Sequence, residues 1–351
     1  MDQPRVLLIY NEPVLPKDHP DAPSEFDVVE TANSVEKILA DAAIPTRKLG
    51  FAHDPGILID ELRAHPADVV FNLFEGLATQ TETEISVAAL LEWLNVPFTG
   101  SPSFAIALGR DKVRTKFLLQ GAGLPTAPFA VVDQIPMSKW TNAWPAIVKP
   151  ACQDSSVGID QKSVVENQTD LEERVADLLR RYGPPVLIEQ FVCGREFHAN
   201  IVEEPGNDPT SPVMLSVPLS EVVFKCGPDM RWPIYTFAAK WDEHSEDFKA
   251  SPLQTPVWIE PPVWDRVRQL SALAYKLIGL RDYGRVDLRL TEDGQPYILE
   301  VNPNPYLMSS MLVDGMAAIG RKHNRMVTDL VRLAASRGGS RHASLSRSLS
   351  L

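Results

Sequence analysis

Cysteine is scarce. There are three in 351 residues, Cys152, Cys193 and Cys226, far apart and without a CxxC pair. That leaves no disulfide framework and no zinc-type spacing, and it suits a reducing cytosol. Basic charge is in deficit: 34 Lys and Arg against 46 Asp and Glu, a formal net charge of -12. No extended phosphate-neutralising surface for nucleic acid is therefore expected. No apolar run approaches the roughly 20 residues that a membrane helix needs. The opening MDQPRVLLIYNE has no basic segment before its short apolar run, so no signal peptide is read there. No GxGxxG follows the first strand, which discounts a dinucleotide-binding oxidoreductase. No internal repeat is found.

What is present is ordinary for a soluble globular protein: 44% hydrophobic and 23% charged residues. The length predicts two or three domains. Strand signals at 5–10, 68–72 and 96–99 alternate with helix signals at 31–43 and 85–94, which predicts a parallel sheet flanked by helices. Residues 17–24 read as loop. A helix over 111–119, strands over 146–149, 157–163 and 186–190, and a helix over 169–181 make a compact α+β block. Strands then dominate, at 197–201, 213–217 and 235–239, with a helix over 262–277. Residues 286–290 and 297–301 predict a hairpin about Glu292-Asp293-Gly294. The Ser/Arg/Gly-rich end reads as a disordered tail.

The strongest local signal is the set Asp287, Glu300 and Asn302. Residues two apart on a strand share a face, so Glu300 and Asn302 project together. A hairpin pairing brings Asp287 to them. Two carboxylates and an amide oxygen make a hard oxygen cluster suited to Mg2+, with Mn2+ as an alternative. Taken alone, acids at strand ends are as readily solvated residues. The apolar neighbours Val286 and Leu288 weigh against that, since an unpaired buried Asp is costly.

Several segments in order carry a resemblance: FTGSPSFAIALGRDKVRTKFLLQGAGLPTAPF (98–129), IVKPACQDSSVGI (147–159), LIEQFVCGREF (187–197), GRVDLRL and ILEVNPNP. Over roughly 68–335 the chain resembles the D-alanine–D-alanine ligases and their relatives in the ATP-grasp superfamily. The resemblance implies an α/β protein with the ATP-grasp fold: an N-terminal parallel α/β domain, then two α+β subdomains that clasp ATP. It implies domains at 1–108, 109–192 and 193–336, the last with the metal site, before the tail at 337–351. It implies an ATP-dependent carboxylate–amine ligase working through an acyl phosphate, with ATP and Mg2+ as cofactors. Small amino-acid or peptide substrates, a cytoplasmic location and, as an open expectation, a homodimer go with it; nucleic acid and membrane do not.

At matching positions Lys112, Lys149 and Lys240 look like lysines that contact the ATP phosphates, as compact point charges do well. Residues 153–158 (QDSSVG) resemble the loop over the phosphates, with Ser155 near the reacting groups; the loop lacks the GK[ST] of a Walker A motif. Glu189 and Glu196 resemble hinge and ribose contacts. Gln190, Phe191 and Val192 would line the adenine, with backbone hydrogen bonds from that segment. Arg285 matches an arginine near the acyl phosphate. Surface or core roles for single lysines and for Phe191 compete with these readings.

The chain also departs from the family. The Gly-rich segment and Glu after the first strand are replaced by YNEPVLPKDHP, with Glu12 and Glu25 nearby but outside that motif. Trp241 stands for a Tyr, Tyr306 for a Gly, and Met311 for a Ser, with Ser309 and Ser310 out of register. Preserved ATP chemistry beside changed amino-acid pockets predicts a different carboxylate, amine or both. A phosphotransferase on the same fold and a non-catalytic ATP-binding module are the rival readings.

Overall fold

The run VLLIYN becomes β1 (Val6–Asn11), almost wholly buried. In the computed structural model, which describes residues 3–16, 22–153, 156–208, 211–225, 227 and 232–348 (backbone alone at 22–25 and 339–348), it centres a parallel sheet. Helix α1 (Ala22–Asp41), β2 (Thr46–Phe51), α2 (Gly56–Ala64), β3 (Val69–Leu73), α3 (Thr83–Trp93) and α4 (Ser103–Arg110) follow. The sheet order is β2-β1-β3. β1 and β3 read as near-continuous apolar runs because both faces are covered, whereas β2 (TRKLGF), at the edge, is largely polar.

Then come α5 (Lys112–Gly121), β4 (Phe129–Val132), β5 (Ala146–Pro150), β6 (Val164–Val165), α6 (Gln168–Tyr182) and β7 (Val186–Gln190). They form a four-stranded sheet in the order β4-β7-β5-β6. Asn167 caps α6 by accepting from Asp170 N, as a short polar side chain does at a helix start.

The third part holds β8 (Arg195–Glu204), β9 (Val213–Ser216), β10 (Leu219–Val222), α7 (Phe237–Trp241), α8 (Glu246–Ala250), β11 (Leu253–Val257), α9 (Pro261–Ile278), β12 (Tyr283–Leu290), β13 (Pro296–Pro303), α10 (Ser310–Ala318) and α11 (His323–Ser348). Its six-stranded sheet runs β11-β10-β8-β12-β13, with β9 on β8. Pro at the start and left-handed Gly279 at the end delimit α9. The hairpin of β12 and β13 turns at Gly294, whose φ of 77° favours glycine. One core joins the two ends of the chain: Val6, Leu8, Leu39 and Phe71 pack in the same cluster as Leu312, Met316, Val327 and Val331.

Several expected elements change. The strand expected at 157–163 is a turn leading into a single 3-10 turn at Gln161–Ser163. Asp160 and Ser163 cap each other there, and Ser156 and Gly158 hold positive φ, so an extended run is interrupted. The strand expected at 235–239 is instead the start of α7, because the Thr236 hydroxyl accepts from Ala239 N as an N-cap. Residues 96–99 contribute one bridge, Val70 to Phe98, rather than a strand. The first helix begins at Ala22, inside the expected loop, of which residues 17–21 lie outside the described set. The expected boundary at 108 falls within α4, whose Gly109 lies against Pro303 of β13. Helix α11 continues to Ser348, through most of the expected tail. Its Arg337 is anchored by Asp282 at 2.7 and 2.9 Å.

Candidate active site

Strand alternation builds one polar face. On β8, Glu196, His198 and Asn200 alternate with Phe197, Ala199 and Ile201, and those apolar residues join the core under α9. The register sets Arg289, Asp287 and Arg285 of β12 opposite Glu196, His198 and Asn200. Across the hairpin, Glu300 stands opposite Asp287 and Asn302 opposite Arg285. The three residues expected at a metal are thus brought together by the pairing of two strands.

Between this face and the four-stranded sheet is a cleft open to solvent. Lys149, Glu189, Gln190, Phe191 and Val192 line one side. Glu196, Asp287 and Glu300 line the other, and Lys240 closes it with Ile234 and Tyr235. Nine of the residues expected from sequence therefore meet at one cavity. Arg285 and Asn302 sit one contact away, on Asp287, and Lys112 reaches to 4.0 Å from Glu300. Ser155 and Cys226 lie outside the described residues.

At the end formed by the hairpin acids, Arg285 holds Asp287 with a fork, Nε at 2.7 Å and Nη2 at 3.0 Å. Asn302 donates Nδ2 to the same carboxylate at 2.9 Å. Burial opposes ionisation of Asp287, but the Arg285 charge and hydrogen bonds outweigh it and hold its pKa at about 2. The donor set suits a cation that also takes phosphate oxygens and water, since Mg2+ seldom uses a protein-only cage. No group of three or more His, Cys, Asp or Glu is arranged for a metal among the described residues.

At the lysine-rich end, Lys149 stands one residue before the end of β5 and pairs with Glu189 at 2.7 Å. Lys116, one turn beyond Lys112 on α5, takes the other oxygen of Glu189. Burial would raise the Glu189 carboxyl, but the two ammonium charges bring it down to about 2. Lys112 donates to Gln153 O at 2.6 Å, against the start of the expected phosphate loop. Burial lowers the Lys240 ammonium, which sits 5.1 Å from the centre of the Tyr235 ring. The far end of the loop is tied across the cleft: Ser156 Oγ donates to Tyr235 O at 2.8 Å, and Gln161 exchanges two hydrogen bonds with the Trp232 backbone.

At the apolar end, Phe191 and Ile234 pack together. The N–H groups of Gln190 and Phe191 bond to Pro128 O and Pro145 O, both at 2.9 Å. Those two amides are committed within the sheet, which narrows the expected backbone contacts to a base. Buried Arg289 organises this end. It donates to Glu196 at 2.8 and 3.1 Å and to Val192 O at 2.9 Å, and lies over Phe191.

The sequence reading missed Lys116, His198, Tyr235 and Arg289. One of them carried a signal: Arg289 continues the alternation of Arg285 and Asp287 on β12. The departures also have a place. Met311 is buried with Sδ 2.9 Å from His198 Nδ1. Tyr306 donates its hydroxyl to Asp27 at 3.2 Å. Ser309 is occupied as the N-cap of α10, accepting from Leu312 N. Trp241 is 44% exposed, and Glu12 is exposed.

Comparison with known proteins bears on the family and the fold. A family model described as the D-ala D-ala ligase C-terminus matches residues 118–332. The uncharacterized protein y4sG of Sinorhizobium fredii is 30% identical over 91% of each chain. A D-alanine–D-alanine ligase of Desulforudis audaxviator is 33% identical over 72% of this chain and 77% of its own. Among solved structures, the ATP complex of D-alanine–D-alanine ligase from Bacillus anthracis superposes with a TM-score of 0.71 at 17% identity, covering 96% and 99% of the two chains. With the sheets, the cleft and these matches together, the chain belongs to the D-alanine–D-alanine ligase family and has its ATP-grasp fold.

Proposed function

We propose that the protein is an ATP-dependent carboxylate–amine ligase that forms an amide through an acyl phosphate. The observation that carries this reading is the cleft itself. Two cations, Lys149 and Lys240, and two register-paired acids, Asp287 and Glu300, meet at one end, and an apolar slot with Glu196 lies at the other. A nucleotide lies there with its base against Phe191, its ribose toward Glu196 and its phosphates toward Lys112, Lys149 and Lys240. Mg2+ held by Asp287, Glu300 and Asn302 would offset charge on the transferring phosphoryl group.

A substrate carboxylate oxygen bonds to the γ-phosphorus as the bond to the ADP oxygen breaks. The amine nitrogen then attacks the acyl carbon and phosphate leaves, yielding the amide. Positioning and electrostatics supply most of such a reaction, so no nucleophilic side chain is assigned. Arg285, locked on Asp287, places a fixed positive charge beside the reacting groups.

The amino-acid pockets in this reading differ from those that take two D-alanines. Met311 buries a thioether against His198 where a hydroxyl would meet a carboxylate, and Tyr306 fills space beside Asp27. A pocket that lacks its hydrogen-bond partner loses specificity steeply. The test is ADP release with MgATP and a panel of D- and L-amino acids and dipeptides, with mass spectrometry of products. ADP matched by an amide, with some pair exceeding D-alanine in kcat/KM, is the expected result. A phosphorylated end product would make the protein a phosphotransferase. Absence of turnover with every pair would leave a nucleotide-binding module, and D-alanine as best substrate would refute the altered pockets.

A further inference from the structure

We propose that Lys116 is a positioning residue of the nucleotide site: the permanent counter-ion of Glu189 that lets Lys149 leave for the phosphates. The inference rests on the reading of the cleft as an ATP site. Glu189 is shared by two lysines, one on each carboxylate oxygen. The two lysines differ in freedom. Lys149 lines the cleft beside Glu189. Lys116 is 1% exposed and bonded to Thr126 Oγ1 at 2.6 Å. That hydroxyl in turn donates to Ile298 O at 3.0 Å, so Lys116 is tied to β13 from outside the cleft.

The consequence follows from charge. Glu189 is 2% exposed and ionised. A buried carboxylate cannot shed its only cation cheaply. With Lys116 in place, an arriving phosphate takes Lys149 while Glu189 keeps one partner and its orientation. Without Lys116, every nucleotide that recruits Lys149 leaves Glu189 bare. Lys116 itself touches no nucleotide in this scheme; it acts through Glu189.

The test is a double-mutant cycle read by calorimetric MgATP binding to the full chain. Lys116→Met should weaken MgATP by at least about tenfold. Glu189→Gln needs no counter-ion, so adding Lys116→Met to it should change affinity by less than about twofold. Lys116→Arg, which keeps the cation, should bind within a few-fold of the wild type. Wild-type affinity in Lys116→Met overturns the proposal. So does an equal loss in both backgrounds, which would mean a packing role alone. Should Lys116→Met fail to fold, the double variant against Glu189→Gln and the Arg variant against wild type decide, and a large loss in either overturns it. A wild-type protein that binds no MgATP would instead refute the ATP reading and take this inference with it.

Discussion

Replacing Arg289 with methionine should damage the protein far more than a surface arginine would. Arg289 is 3% exposed, and its guanidinium serves Glu196 twice, Val192 O once and the Pro233 carbonyl. It also lies 4.8 Å from the Phe191 ring centre. Methionine fills most of the volume, so the loss is chiefly electrostatic rather than a cavity. Glu196, 8% exposed, would be left without its cation. Breaking a buried pair from one side costs about 3–5 kcal/mol, and for a chain of this length the melting temperature should fall by about 4–7 °C. Thermal melts followed by far-UV dichroism read this directly. The cost is the orphaned acid, so Glu196→Gln combined with Arg289→Met should recover most of the loss. An Arg289→Met protein that melts with the wild type, or a double variant no better than the single one, would refute the reasoning.

Two further outcomes follow from the same site. Glu300→Gln keeps shape but removes one charge from the oxygen cluster, so ATP turnover should nearly vanish at saturating Mg2+ with the melting temperature held. Undiminished turnover would remove Glu300 from the metal. Acid stability should depend on Glu189, whose carboxyl is held from 4.5 down to about 2. A depressed acid stabilises above its unfolded pKa and loses that contribution as pH falls toward its folded one. On the order of 3 kcal/mol should therefore disappear between about pH 4.5 and 2. Denaturant titrations across that range should show a flatter acid limb in Glu189→Gln than in the wild type; parallel limbs would contradict the assignment.

The pairing of Asp287 with Glu300 was legible because both halves of the hairpin alternate and the turn signal between them is strong. Strand 186–190 was legible to the residue, since an apolar run ends in Glu and Gln. Lys116 was not, because its burial comes from three segments far apart in sequence: α5, Glu189 and the Thr126 bridge to Ile298. No local pattern marks a lysine as a core residue. The strands expected at 157–163 and 235–239 failed for a related reason. Their apolar content suits a pleated surface, but Asp160 and Thr236 offer side-chain acceptors to nearby N–H groups, and a cap won in each case. His198 and Tyr235 became meaningful only when the register placed one opposite Asp287 and the fold of residues 232–237 brought the other into the cleft.

The core that joins Val6, Leu8 and Phe71 to Val327 and Val331 bears on how the chain is made. The first strands leave the ribosome with an apolar face whose cover begins with α1 and is completed by residues encoded far downstream, at 312–331. The entropy of closing so long a loop is modest, but contacts this distant form slowly. Helix α1 covers part of that face at once, but the remainder must wait for α11 through most of translation. Synthesis halted before residue 323 would release a chain whose first sheet has α1 on that face but lacks the cover of α11, open to aggregation or to proteases.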